Sequence, residues 1–84
     1  MWLIKEWDGN EVRAEYTLPG NLSAEEIEAI LQRLVCRTLS LEEILAASRR
    51  KNDPRRTALL DRVGSGRIVE VGHSPRYSAE KTDA

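Results

Sequence analysis

Residues 22–51 read LSAEEIEAILQRLVCRTLSLEEILAASRRK and contain the same helix-start signal twice. The two copies are Leu22-Ser23-Ala24-Glu25-Glu26-Ile27 and Leu39-Ser40-Leu41-Glu42-Glu43-Ile44. In each, the serine can accept a hydrogen bond from a free N–H of the first turn, and the glutamate three residues later can accept one from the serine's own N–H. The leucine before the serine can also pack on the isoleucine that follows the box. The stretch therefore predicts two helices, one over Ala24 to Arg37 and one over Leu41 to Lys51.

The two predicted helices are close neighbours along the chain. Only Thr38 and Leu39 separate the end of the first helix from the cap of the second. A connection this short makes the two helices adjacent in space. Each helix also carries an apolar stripe at helical spacing. The stripe residues are Ile27, Ile30, Leu31, Leu34 and Val35 in the first helix, and Leu41, Ile44, Leu45 and the small Ser48 in the second.

The N-terminal residues have the pattern of a β-hairpin. Two β-prone runs, 2–7 and 11–18, flank the turn signal Asp8-Gly9-Asn10. In the second run, apolar side chains alternate with polar ones, which predicts one buried face. The alternating apolar residues are Val12, Ala14, Tyr16 and Leu18. A three-residue loop would place Trp2 opposite Tyr16 and Ile4 opposite Ala14, with Leu3, Lys5 and Trp7 on the other face of the sheet.

The C-terminal half leaves two interpretations open before its last strand. Asp53-Pro54 is typical of a helix start and favours a short helix over Pro54 to Arg62. The alternative is a strand over 57–63 that turns at Gly64-Ser65-Gly66. Residues 67–72 form a strand under either interpretation, and the polar stretch after His73 predicts a flexible tail.

Together these elements predict an α+β fold in the order ββαα(α)β. A sheet of three strands, the hairpin plus the strand at 67–72, is covered on one face by the helical hairpin. Residues 1–73 make one small domain, and residues 74–84 make a flexible polar tail.

The composition excludes several classes of protein. The chain has 84 residues and a single cysteine, so it can form no intrachain disulfide. No apolar run approaches the roughly 18 residues that cross a membrane. An unpaired cysteine is most natural in a reducing compartment, so we expect a cytoplasmic protein with no membrane partner.

The sequence predicts no enzyme, metal site or cofactor. His73 is the only histidine and lies where the predicted fold ends. Cys36 has no histidine near it in sequence. The glutamates at 25, 26, 28, 42 and 43 lie in the first turns of the predicted helices, where they complement the helix dipole. Gly64-Ser65-Gly66-Arg67 lacks the lysine and hydroxyl residue of a phosphate-binding loop.

Charge is distributed unevenly along the chain. Residues 1–48 carry four basic and nine acidic side chains, whereas residues 49–84 carry nine basic and five acidic ones. The basic residues between 49 and 67 are Arg49, Arg50, Lys51, Arg55, Arg56, Arg62 and Arg67. Such clustering can bind phosphates or an acidic protein. The order of elements over 24–72 also resembles a winged-helix DNA-binding domain. However, the sequence pI of about 5.8 contrasts with values above about 9 that are typical of nucleic-acid-binding domains.

The apolar side chains predicted on the outer sheet face support a different function. Leu3 and Trp7 of the first strand, with Ile68 of the last, would be exposed together if helices cover only one face. Aromatic anchors in an exposed patch are typical of protein interfaces. The sequence thus favours a small non-catalytic protein-interaction module whose partner is another protein or a second copy of itself. Binding of nucleic acid through the basic segment 49–67 is the alternative.

Overall fold

A computed structural model describes residues 1–64, 67–73 and 75–82 of the chain. Its elements are β1 (Trp2–Asp8), β2 (Glu11–Leu18), α1 (Ala24–Cys36), α2 (Leu41–Ala47), β3 (Arg62–Val63), β4 (Ile68–Gly72) and β5 (Arg76–Lys81). The strands form one antiparallel sheet in the order β2-β1-β5-β4-β3, and α1 packs against β4 and β5. This is an α+β arrangement, but the prediction of a three-stranded sheet is wrong because the sheet has five strands.

Both predicted helix starts are confirmed, because both capping boxes are formed. Ser23 Oγ accepts the Glu26 N–H at 3.1 Å, and Glu26 Oε1 accepts the Ser23 N–H at 3.0 Å. Ser40 and Glu43 make the same pair of bonds at 3.2 and 3.0 Å. The first helix ends one residue before the predicted Arg37, whereas the second ends at Ala47 instead of Lys51.

The early end of α2 has a cause in the loop that follows. The Ser48 hydroxyl donates to the Ile44 carbonyl at 2.7 Å, and the Thr57 N–H donates to the Ala46 carbonyl at 3.3 Å. The Thr57 bond occupies the Ala46 carbonyl, which another helical turn would otherwise have used. The helix therefore ends four residues before the predicted Lys51.

The predicted third helix over Pro54–Arg62 is wrong, because residues 48–61 after α2 form turns and bends. Asp53 Oδ1 accepts the Arg55 N–H at 2.9 Å and also binds the Arg55 guanidinium. Such local side-chain bonds offer the backbone an alternative to a helix. The rival strand over 57–63 is formed only at β3, and Ser65 and Gly66 of the predicted turn lie outside the described residues. Without a third helix, the element order no longer matches that of a winged-helix domain.

The hairpin register differs from the prediction by two residues. Trp2 pairs with Leu18 and Ile4 with Tyr16, not with Tyr16 and Ala14. The turn has two residues, with Gly9 at a positive φ of 62°, and a bulge shifts the pairing between Glu6 and Trp7. A two-residue turn alone would put the apolar residues of β1 and β2 on opposite faces, and the bulge restores them to the same face.

The predicted flexible tail is wrong for Arg76–Lys81, because these residues form β5 at the centre of the sheet. β5 pairs with β1 on one side and β4 on the other. Its two apolar side chains, Tyr77 and Ala79, point toward α1 and are fully buried. Two alternating apolar residues are enough to hold β5 in the sheet, because strands on both sides supply its backbone hydrogen bonds.

The core lies between the inner sheet face and α1. Its buried residues are Trp2, Ile4, Ile27, Leu31, Val35, Val69, Val71, Tyr77 and Ala79. The two aromatic polar groups in it have partners: the Trp2 indole donates to the Leu22 carbonyl at 2.9 Å, and the Tyr77 hydroxyl donates to Glu6 Oε1 at 2.6 Å. The core residues of the strands all point toward α1. The residues next to them in each strand therefore point away from α1.

Candidate protein interface

The face of the sheet turned away from α1, which we call the outer face, carries the predicted interaction residues. Successive side chains of a strand point to opposite faces. Because Trp2 and Ile4 point into the core, Leu3, Lys5 and Trp7 of β1 point outward, as predicted. The strand pairing puts Arg76, Ser78 and Glu80 of β5 and Ile68 and Glu70 of β4 beside them.

Trp7 is held in one orientation by its neighbours on β1 and β5. Its indole Nε1 donates to Ser78 Oγ at 2.9 Å. The Arg76 guanidinium lies 5.0 Å from the ring centroid and the Lys5 ammonium 5.8 Å from it, both within range of a cation–π interaction. A half-buried tryptophan fixed in this way loses little side-chain entropy on binding. Trp7 therefore has the properties of an anchor residue.

Leu3, Trp7 and Ile68 come together along one shallow groove of about 180 Å³ on the outer face. Ile68 is 48% exposed at the rim. Sequence reasoning missed two further apolar residues on the outer face, Val12 and Val63. Val63 of β3 pairs with Glu70 of β4, which points outward, and Val63 is 61% exposed. Its two-residue strand is too short to give an alternating pattern.

Much of the positive charge of the basic segment is paired with carboxylates of the same chain. Arg49 and Arg55 both contact Asp53, at 3.6 and 3.2 Å. The Arg56 guanidinium donates to Asp61 Oδ2 at 2.9 Å. Hydrogen bonds from Arg55 lower the pKa of Asp53, and hydrogen bonds from Arg56 lower the pKa of Asp61. These pairs hold the loop after α2 together.

The remaining basic residues do not form one phosphate-binding surface with them. Arg62 contacts Glu28 of α1 at 3.4 Å, and Arg67 donates to the Lys81 carbonyl. Arg49, Arg50 and Arg55 line one depression with Asp53, and Lys51, Arg56 and Arg62 line another with Glu28 and Asp61. Each depression thus contains at least one carboxylate, which neutralises part of its positive charge.

The histidine and the cysteine lie at the ends of different elements. His73 is exposed after β4, and Cys36 is half-buried at the end of α1. Across residues 1–64, 67–73 and 75–82, no group of three or more His, Cys, Asp or Glu side chains is placed to hold a metal ion. In the same part of the chain, neither helix is long and apolar enough to cross a membrane.

No protein-family model matches this chain, and searches of curated proteins and of solved structures find no significant match.

Proposed function

We propose that this chain is a non-catalytic protein-interaction module, and that its outer face binds a partner protein. The observation that carries the proposal is the one-sided covering of the sheet. The core side chains and α1 lie on the inner face, while Trp7, Leu3 and Ile68 share the outer one. Tryptophan and arginine are the residues that most often dominate protein interfaces, and Trp7 stacks with Arg76 here.

The dimensions of the outer face suit a protein better than a small molecule. Its groove of about 180 Å³ is smaller than the roughly 300–1,000 Å³ that encloses a typical ligand. The apolar centre is bordered by charges of both signs, among them Lys5, Glu70 and Glu80. An apolar centre with a polar rim is the usual anatomy of a protein interface. A cytoplasmic location belongs to the same proposal, because the lone Cys36 thiol suits a reducing compartment.

Photo-crosslinking in cells that naturally make the protein would test this proposal. A photoreactive phenylalanine derivative replaces Ile68 on the outer face or, as a matched control, the exposed Ala29 on α1. We expect a discrete crosslinked product from position 68 only. The added change Val63→Glu should remove it, because a charge there opposes apolar contact while an exposed site tolerates substitution.

Equal crosslinking from both positions, or none from position 68, would contradict the proposal. A product of twice the chain mass from the purified protein would identify a second copy as the partner on this face.

The alternative, nucleic acid binding through segment 49–67, has less support in the structure. Four of its seven basic side chains, Arg49, Arg55, Arg56 and Arg62, contact carboxylates. We expect no salt-dependent binding when labelled duplex and single-stranded oligonucleotides are titrated by fluorescence anisotropy. Affinity that falls steeply with salt would instead show phosphate contacts and favour the alternative.

A further inference from the structure

α1 covers only part of the inner face of the sheet. α1 packs on β4 and β5, whereas β2 is an edge strand two positions away from β5. Tyr16 of β2 pairs with the buried Ile4 and so belongs to the inner face, yet it is 45% exposed. The layer of helices is therefore incomplete over β2.

The uncovered part forms an apolar groove of about 310 Å³ between β2 and α1. Tyr16 and Leu18 line it from β2, Ile30 and Leu34 line it from α1, and Arg37 lies at its end. The centre of the β2–β1 pair lies two strand spacings from the centre of the β5–β4 pair, or about 10 Å. Packed helices lie about 8–10 Å apart, so the groove has the width of one further helix.

The chain also exposes a helix face that fits such a groove. On α2, Ala47 is buried against the rest of the molecule, while Leu41 is 71% and Leu45 is 55% exposed. Residues four apart lie side by side on a helix, so these leucines form one apolar ridge. We call Leu41 and Leu45 the α2 ridge.

We propose that the protein forms a twofold symmetric dimer in which the α2 ridge of each protomer occupies the groove between β2 and α1 of the other. The charges are complementary. Arg37 at the end of the groove has no carboxylate within ion-pair distance among the described residues. Glu42 lies beside Leu41 in the exposed first turn of α2, whereas Glu43 already bonds to its cap. Glu42 of one protomer can therefore pair with Arg37 of the other.

The position of the two surfaces also suits a closed dimer. The groove ends at Arg37, and α2 begins only four residues later at Leu41. A twofold axis that passes between them lets both protomers make the same contact at once, so association stops at two copies. This dimer uses none of Leu3, Trp7 and Ile68, so it leaves the outer face free and does not depend on the function proposed above.

Sedimentation velocity over a range of concentrations tests the dimer. We expect a wild-type dimer and a dissociation constant raised roughly thirtyfold or more by Leu45→Glu, the size of effect that an interface hot spot gives. Val63→Glu, an equally exposed site on the outer face, is the matched control and should leave the dimer intact. Circular dichroism of each variant verifies that the fold is retained.

A charge-reversal cycle then identifies the contact itself. Glu42→Arg and Arg37→Glu should each weaken the dimer, and the double variant should restore it. A monomeric wild-type protein would overturn the proposal. So would a dimer that resists Leu45→Glu but is lost in Val63→Glu, because that result would place self-association on the outer face.

Discussion

At the scale of single residues, Tyr77 couples the core to pH. Its side chain is buried and its hydroxyl donates to Glu6 at 2.6 Å. Burial, and next the hydrogen bond to Glu6, raise the pKa of Tyr77 to about 12. In the unfolded chain a tyrosine has a pKa of about 10. The native state therefore holds the phenolic proton more tightly than the unfolded state, and this contribution to stability is complete below about pH 10.

We predict that stability falls as the pH rises from about 10 toward 12, and that Tyr77→Phe removes this component of the decrease. At neutral pH the same change should cost about 1 kcal/mol, because one intramolecular hydrogen bond is lost. Urea denaturation at a series of pH values measures both effects. The prediction fails if wild type and variant lose stability in parallel above pH 10.

Gly72 provides a second test at the residue scale, because its backbone and its surroundings both disfavour a side chain. Its φ is 92°, and an added Cβ would lie 2.8 Å from the Pro75 carbonyl oxygen and 2.9 Å from Val35 Cγ2. Gly9 also has a positive φ, of 62°, but a Cβ there meets nothing within 4 Å. The pair separates the cost of the backbone conformation from the cost of crowding.

We predict that Gly9→Ala costs about 1–2 kcal/mol, the usual penalty for a left-handed residue with a Cβ. Gly72→Ala should cost clearly more, since Val35 belongs to the core that would have to move. Chemical denaturation of the two variants gives the comparison. Equal losses would mean that the turn between β4 and β5 absorbs the new methyl group.

Strand alternation predicted the faces of individual residues correctly in β1, but not on the far side of the bulge in β2. It put Leu3, Lys5 and Trp7 of the seven-residue β1 on the outer face correctly. It failed for Val12, which pairs with Trp7 beyond the bulge. A bulge shifts the alternation of inward and outward side chains but has no distinct sequence signal. It is therefore seen only in the pairing with the neighbouring strand.

At the scale of elements, the two capping boxes have the same chemistry but stabilise helices of different importance. α1 buries Ile27, Leu31 and Val35 in the core, whereas α2 buries only Ala47. A helix that packs in the core unfolds together with the whole domain, while a peripheral helix can open alone. Identical substitutions in the two caps should therefore be detected by different measurements.

We predict that Ser23→Ala lowers the free energy of unfolding by about 1 kcal/mol, as is usual for a lost cap. Ser40→Ala should change global stability less, but should speed hydrogen exchange of the amides of α2. Urea denaturation and hydrogen exchange followed by NMR measure the two quantities. An equal global loss in both variants would show that α2 is part of the cooperative core.

The starts of both helices were predictable, whereas the end of α2 was not. A capping box is formed by residues within a stretch of four, so the local sequence is enough to predict it. The end of α2 depends on bonds from Ser48 and from Thr57, and the latter lies ten residues beyond Ala47. Likewise, the proline after Asp53 predicted a helix, but the Asp53 side chain bonds Arg55 and forms a turn instead.

At the scale of the whole molecule, the order of the strands in the sheet could not be predicted from local sequence patterns. β5 has only two apolar residues, and its polar positions resemble a solvated tail. Its place is set by β1 and β4, whose free edges it joins. We therefore expect the five strands and α1 to unfold as one cooperative unit, with the segment that looked least structured at its centre.

Truncation tests this conclusion directly. We predict that a chain ending at His73 does not fold, because β1 and β4 lose their shared partner and the core loses Tyr77 and Ala79. Loss of a large buried aromatic side chain alone costs about 3–5 kcal/mol, a large part of the roughly 5–15 kcal/mol that stabilises a small domain. A chain ending at Thr82 keeps all of β5 and is the matched control. Circular dichroism and thermal unfolding should show a cooperative transition only in the control. A cooperative transition in the shorter chain would mean that the remaining strands can close the sheet without β5, as a true flexible tail would allow.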